Sequence, residues 1–214
     1  MTTTRTQVHL VRHGEVHNPE RILYGRLPGY RLSELGLEMA GLVARHLADH
    51  DVAEVLASPL QRAQETARPI AEAHGLPVGT EERATEAVNV FEGRAVAGGS
   101  GLLRDPSMWR YFLNPTKPSW GEPYQEIADR MIAAIADLRV RAEGREVVLV
   151  SHQAPIWIAR CALEGRRLWH DPRKRECTLA SVTTLVYEDD RLESIGYAEP
   201  AAALLAQAAP GAGA

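Results

Sequence analysis

The chain has 214 residues, 45% of them hydrophobic, a net charge of −4 and 2 cysteines. That length sustains one core unaided, and the mildly acidic balance speaks against a general nucleic-acid-binding surface. Cys161 and Cys177 are too few for a disulfide framework or a structural zinc centre, no apolar stretch reaches membrane-spanning length, and the polar start over 1–7 lacks a signal-peptide core, so a cytoplasmic protein is expected.

In chain order, the first apolar run covers 8–11 and reads as a strand that stops at Arg12-His13-Gly14. His9, alternating with apolar neighbours inside that run, reads as structural. Ser33 reads as the N-cap of a helix whose apolar stripe is Leu35, Met39, Leu42, Val43 and Leu47. A second strand is expected at Val52–Ala57, followed by a helix capped by Ser58 with Pro59 in its first position. Leu60, Ala63, Ala67 and Ile70 form its stripe, and Pro69 predicts a kink or an early stop.

The stretch 94–121 breaks this alternation. It is rich in glycine, proline and aromatics, including Trp109, Tyr111, Phe112 and Trp120, and reads as a lid or binding insert. A helix over about 123–141 follows, with Ile127, Met131, Ile135 and Leu138 facing inward. Next come a strand at 147–150, a helix from Pro155 to before Gly165, a strand at 182–187 and an edge strand at 192–197. Arg173-Lys174-Arg175 reads as a solvated basic loop. The expected fold is a three-layer α/β/α sandwich with a mostly parallel sheet and a small lid insert. It forms one domain over 1–200, with a flexible Ala/Gly-rich tail over 201–214.

Three strand ends carry reactive side chains: Arg12 with His13, Ser58 leading to Arg62, and Ser151-His152. Parallel sheets gather ligands beyond the carboxyl ends of their strands. Two guanidiniums match phosphate oxygens, a histidine can serve as nucleophile, and a helix start favours an anion. Alone, Arg62 reads as a surface helix charge and His152 as a satisfied core histidine. Together they describe one site for a phosphoryl group.

These residues stand in a wider pattern. Leu10-Val11-Arg12-His13-Gly14-Glu15, Leu32-Ser33-Glu34-Leu35-Gly36, Ser58-Pro59-Leu60-Gln61-Arg62-Ala63-Gln64-Glu65-Thr66-Ala67, Glu86, Phe91-Glu92-Gly93, Gly121-Glu122 and Val150-Ser151-His152 follow one another along nearly the whole chain. The sequence resembles the histidine phosphatase superfamily, the group that includes phosphoglycerate mutase. The resemblance implies that His13 attacks phosphorus and becomes a phosphohistidine. It implies that Arg12, Arg62 and His152 hold the phosphoryl oxygens, and that Glu86 donates the proton to the leaving alcohol. No metal or other cofactor is implied, because the arginines supply the positive charge.

Several positions depart from the family pattern. The linker from Glu86 to Glu92-Gly93 is one residue short, so Glu81, Glu82 and Glu92 stand as alternatives for the acid. Asn18 sits one place early for a phosphate contact and reads equally as a turn residue before Pro19. Gln153 replaces a common glycine and extends toward the cleft. Pro123 replaces a frequent serine. Tyr24, Gly25 and Arg26 lie in a loop that faces the cleft in relatives.

The expected activity is metal-independent hydrolysis of a small-molecule phosphate monoester, with neither nucleic acid nor membrane as partner. A phosphoglycerate mutase is the alternative. The short insert carries few cations (Arg94, Arg104, Arg110, Lys117), which favours the phosphatase. A non-catalytic phospho-ligand-binding module is a further alternative, disfavoured because every catalytic position is filled. The insert's aromatics suggest a substrate with an apolar or flat portion. The oligomeric state is open, with a homodimer through an edge strand or surface helix among the outcomes.

Overall fold

A computed structural model of the chain describes residues 4–94 and 121–209. Of the lid expected over 94–121, residues 95–120, with the four aromatics, lie outside the described residues. The elements are β1 (Arg5–Arg12), α1 (Glu34–Leu47), β2 (Val52–Ala57), α2 (Gln61–Ala73), β3 (Val78–Thr80), α3 (Tyr124–Ala142), β4 (Glu146–Ser151), α4 (Gln153–Leu163), β5 (Val182–Glu188) and β6 (Arg191–Ala198).

The sheet has six strands in the order β3-β2-β4-β1-β5-β6. The first four of that order run parallel, and β5 and β6 are antiparallel. Helices cover both faces, which is why the parallel strands are apolar on both sides. One face packs Val11, Val55, Val148 and Val150 beneath Met39, Val43 and Leu47 of α1 and Ala63, Ala67 and Ile70 of α2. The other packs Val8, Leu10, Val147 and Leu149 beneath Met131, Ile135 and Leu138 of α3 and Ile156 of α4. The α3 stripe is buried as its spacing predicts, and each large side chain in it contributes about 1.5–3 kcal/mol of burial.

The chain departs from the sequence reading in four places. The early stop that was one expectation at Pro69 does not occur, and α2 continues to Ala73. Pro69 forfeits a backbone bond, but Ala67, Ile70 and Ala71 bury around it and hold the last turns against the sheet. Ser58 is not the helix cap. Leu60 takes that position without a side-chain bond, and the Ser58 hydroxyl turns to the site described below. The three-residue β3 has no periodic signal, because it is short and carries Gly79.

The fourth departure is the tail, which is expected to be loose from 201. Ala201 is fully packed, Ala202–Gln207 forms a 3₁₀ turn, and Leu204, Leu205 and Ala208 rest on the α1–α2 core. The Ala209 N–H donates to the Glu15 carboxylate at 2.7 Å. Scattered apolar residues in an alanine-rich segment suffice to dock it where a core is already built. Residues 210–214 lie outside the described part.

Candidate active site

The strand order β2-β4-β1 sets three carboxyl ends side by side. Arg12 pairs in register with Ser151, and Ala57 with Val150. His13, His152 and Ser58, the residues just beyond these pairs, therefore meet at one place. His13 and His152 have ring centroids 5.1 Å apart, and neither ring reaches solvent.

The loop after β1 is fixed by close backbone packing. A Cβ on Gly14 would lie 2.5 Å from the Gly36 carbonyl oxygen, and one on Gly36 would lie 2.0 Å from the Glu15 carbonyl oxygen. Both positions need glycine for this approach between the loop and the first turn of α1. Ser33 caps α1 by accepting from the Gly36 N–H at 2.9 Å, while its own hydroxyl donates to the Glu15 carboxylate.

His13 Nδ1 lies 2.7 Å from the Gly14 carbonyl oxygen, which can only accept, so Nδ1 carries the proton. The Nε2 lone pair is then left free, and Arg62 donates to it through Nε at 3.3 Å. Burial holds the His13 pKa well below 6.5, with Arg62 and then Arg12 adding to the effect against a small opposing contribution from the Gly14 carbonyl. The imidazole is therefore neutral at physiological pH. His152 is held low in the same way, by burial first and then by Arg62. Its Nε2 lies 2.8 Å from the Ser58 hydroxyl, and its Nδ1 has no hydrogen-bond partner.

Arg62 occupies the first turn of α2 and is 1% exposed. It donates to the Gly25 carbonyl at 2.7 Å and lies 4.7 Å over the Tyr24 ring. Arg12 donates to the Cys177 carbonyl at 2.6 Å, and its Nε has no partner. Among the described residues, neither arginine pairs with a carboxylate. A buried guanidinium and a half-buried one, held by carbonyls and an imidazole, form a seat for an anion.

Four glutamates are candidates for the acid, and the structure separates them. Glu81 is occupied by Arg83 at 2.7 Å and its pKa is lowered by that bond. Glu82 begins a surface 3₁₀ turn. Glu92 is half-buried and accepts from the Asn89 N–H. Glu86 alone combines burial, one carboxylate oxygen with no partner and a pKa raised by desolvation, opposed by the Ala87 N–H and by Arg62.

The other expected contacts divide. Tyr24 and Gly25 serve Arg62, as described. Asn18 uses both ends of its amide within its own loop, donating to the Ile22 carbonyl at 2.8 Å and accepting from the Ile22 N–H at 3.0 Å. It also lines the main cavity, of about 680 Å³, with Arg12, Tyr24, Gln153 and Arg175. Arg26 donates to the Glu86 carbonyl and pairs with Glu122 at 3.0 Å, so it fixes the backbone at Glu86. Gln153 donates to the Cys177 carbonyl at 3.2 Å.

One residue was missed. Arg175, expected in a solvated loop, points inward and lines both the main cavity and a smaller one beside Glu86. It donates to His170 at 2.9 Å and reaches the Gln153 amide oxygen at 3.4 Å. Burial lowers its pKa, and the Glu86 charge opposes that shift. The signal lay in topology. Because β5 runs antiparallel to β1, its amino end sits at the carboxyl end of β1, and the residues just before it enter the cleft.

Comparison with known families matches residues 8–199 to the histidine phosphatase superfamily (branch 1). An uncharacterized protein of Mycobacterium tuberculosis, Rv0525, is 59% identical over 197 residues, covering 92% of this chain and 98% of that protein. The probable phosphoglycerate mutase GpmB of Yersinia pestis is 33% identical over 188 residues, covering 82% of this chain and 84% of that protein. Among solved structures, the native mycobacterial glucosyl-3-phosphoglycerate phosphatase Rv2419c superposes with a TM-score of 0.73 at 25% identity, covering 90% of this chain and 97% of that one. Among the described residues, no helix is long and apolar enough to cross a membrane.

Proposed function

Since the chain belongs to the histidine phosphatase superfamily, we propose that it is a phosphomonoester hydrolase acting through a phosphohistidine on His13. The observation that carries this reading is the orientation of His13. Its Nδ1 proton is engaged by Gly14, and its Nε2 lone pair faces Arg62, which has no carboxylate partner among the described residues.

The reaction begins when the substrate's phosphoryl oxygens replace the Gly25 and Cys177 carbonyls as acceptors for Arg62 and Arg12. This draws Arg62 off the lone pair it now covers. His13 Nε2 then attacks phosphorus as the bond to the ester oxygen breaks. The Arg12, Arg62 and His152 side chains stabilise the charge spread over the phosphoryl oxygens. Glu86, kept protonated by its burial, gives its proton to the departing alkoxide. In the second half, the Glu86 carboxylate takes a proton from water as that water attacks phosphorus. The N–P bond breaks, releasing orthophosphate and restoring neutral His13. The guanidiniums supply the positive charge, so no metal takes part.

Arg175 narrows the substrate class. A half-buried cation in the cavity wall, without a carboxylate at ion-pair distance among the described residues, suits an acidic group on the leaving portion of the ester. A compact phosphate ester that also carries a carboxylate fits this second contact.

The relative named as a probable phosphoglycerate mutase supports a second reading, transfer of the phosphoryl group between two hydroxyls of one substrate. Rapid quench with a ³²P-labelled ester tests the first. It should trap an acid-labile, alkali-stable label on the wild-type chain and none on His13→Ala, with free phosphate as the product. Isomerised ester without free phosphate establishes the mutase, and full activity in His13→Ala refutes both.

A further inference from the structure

Far from this site, three side chains converge at the opposite end of the sheet. His9 lies in β1, Glu146 opens β4, and His50 sits in the turn between α1 and β2. His9 Nε2 and His50 Nδ1 both approach the same oxygen, Glu146 Oε2, at 2.7 and 2.6 Å. One potential ligand atom from each residue lies within 4.8 Å of the other two. We propose that His9, His50 and Glu146 form a binding site for a divalent transition-metal ion of the zinc class, independent of phosphoryl transfer.

The chemistry of the donors suits such an ion. Two imidazoles and one carboxylate are the ligand types that zinc and its neighbours prefer, and zinc accepts three protein ligands with water in the remaining position. Bonds of about 2.0–2.2 Å place tetrahedral ligand atoms roughly 3.3 Å apart. The two N···O contacts here therefore need to open by less than an ångström. His50, 33% exposed, leaves a path for the ion and for a water ligand, while His9 is 1% exposed.

The surroundings orient the donors as a metal site requires. His9 Nδ1 lies 2.9 Å from the Thr184 hydroxyl. In the metal-free chain Nε2–H donates to Glu146; when an ion displaces that proton, Nδ1–H can donate to the Thr184 hydroxyl and leave the Nε2 lone pair for the metal. Gln7 donates to the other oxygen of Glu146 at 2.8 Å and fixes the carboxylate plane. Hydrogen bonds of this kind to ligating imidazoles and carboxylates accompany most metal sites. Four residue steps of extended strand lead from His9 to His13, about 13 Å, so the ion would touch no group used in the proposed reaction. It would tie β1, β4 and the turn before β2 together.

The test titrates the metal-free full-length chain with Zn²⁺ by calorimetry and with Co²⁺ by visible absorption, in a His13→Ala background that weakens competition from the active-site imidazoles. One ion per chain is expected, with intense Co²⁺ bands marking low coordination. His50→Ala should weaken binding about tenfold or more, and Thr184→Val should weaken it measurably. In the chain with His13 intact, His50→Ala should leave phosphate release unchanged, which also shows that this variant folds. Saturating Zn²⁺ should raise the melting midpoint of the parent and not of His50→Ala. The proposal is overturned if the chain binds no stoichiometric metal, or if His50→Ala binds it equally well. The triad is then two imidazoles hydrogen-bonded to a shared carboxylate.

Discussion

Arg62 Nε lies 3.3 Å from His13 Nε2, so one guanidinium both covers the proposed nucleophile and helps keep it unprotonated. Removing that cation should let His13 take up a proton more easily. In Arg62→Gln the His13 resonance is expected to titrate at higher pH than in the wild type, followed by ¹H–¹⁵N NMR of the imidazole. Phosphate release should fall by on the order of 10² or more, since the main clamp on the phosphoryl group is gone. An unmoved His13 titration would break the link between the two residues.

As the proposed proton donor, Glu86 should set the alkaline side of the pH profile. Burial raises its pKa above 4.5, and the group must be protonated to donate. Activity is therefore present below the raised value and declines as pH increases through it. His13, held well below 6.5, keeps its lone pair well into the acid range. Glu86→Gln should abolish the alkaline limb of kcat/KM and lower kcat about 10²–10⁴-fold for an alkyl phosphate. The loss should be much smaller for 4-nitrophenyl phosphate, whose leaving group needs no proton. Equal losses on both substrates would remove Glu86 from the proton-donor role.

Arg175 should govern selectivity and leave the chemistry alone. A charged hydrogen bond is worth about 1.5–3 kcal/mol, so Arg175→Ala should raise KM about 10–100-fold for phosphate esters that carry a carboxylate. Simple aryl phosphates should be turned over nearly as before. Steady-state kinetics on 3-phosphoglycerate and 4-nitrophenyl phosphate make the comparison. Identical effects on both would mean that Arg175 only shapes the cleft.

The glycine contact between the first loop and α1 is a stability prediction. A methyl group on Gly36 would stand 2.0 Å from the Glu15 carbonyl oxygen, which is backbone and cannot swing aside. Gly36→Ala should cost about 1–3 kcal/mol, read as a melting midpoint lowered by roughly 2–12 °C. Gly29→Ala is the control for removing a glycine, because a Cβ there meets no neighbour, although its positive φ adds some strain of its own. An unchanged midpoint in Gly36→Ala would mean that the loop shifts freely.

The parallel half of the sheet was legible because its strands are short apolar runs, each ending in a residue with distinctive chemistry. His13, His152 and Arg62 follow from those ends. Glu86 is reached through its place in the family motif, which leaves Glu81, Glu82 and Glu92 as alternatives. The physical ground for setting Glu81 aside, Arg83 occupying its carboxylate, is a contact that only the fold makes. Arg175 was hidden because a basic triplet reads as surface, and the strand after it gives no sign of running antiparallel. Asn18 resisted for another reason. The amide that could reach a phosphate is the same amide that closes its own turn, and sequence cannot say which bond it makes.

The 3₁₀ turn at Ala202–Gln207 has a practical side. Leu205, Ala208 and Ala209 stand in the wall of the main cavity, beside the loop that carries Glu15 and His17. Anything joined directly to Ala209 would start from the wall of the proposed substrate cleft. A purification handle, fluorophore or surface tether placed there would crowd the entrance and distort measured selectivity. The same attachment ahead of Arg5 leaves from the opposite end of the sheet, where Thr4 bonds to Asp189 in the turn between β5 and β6, away from the cleft.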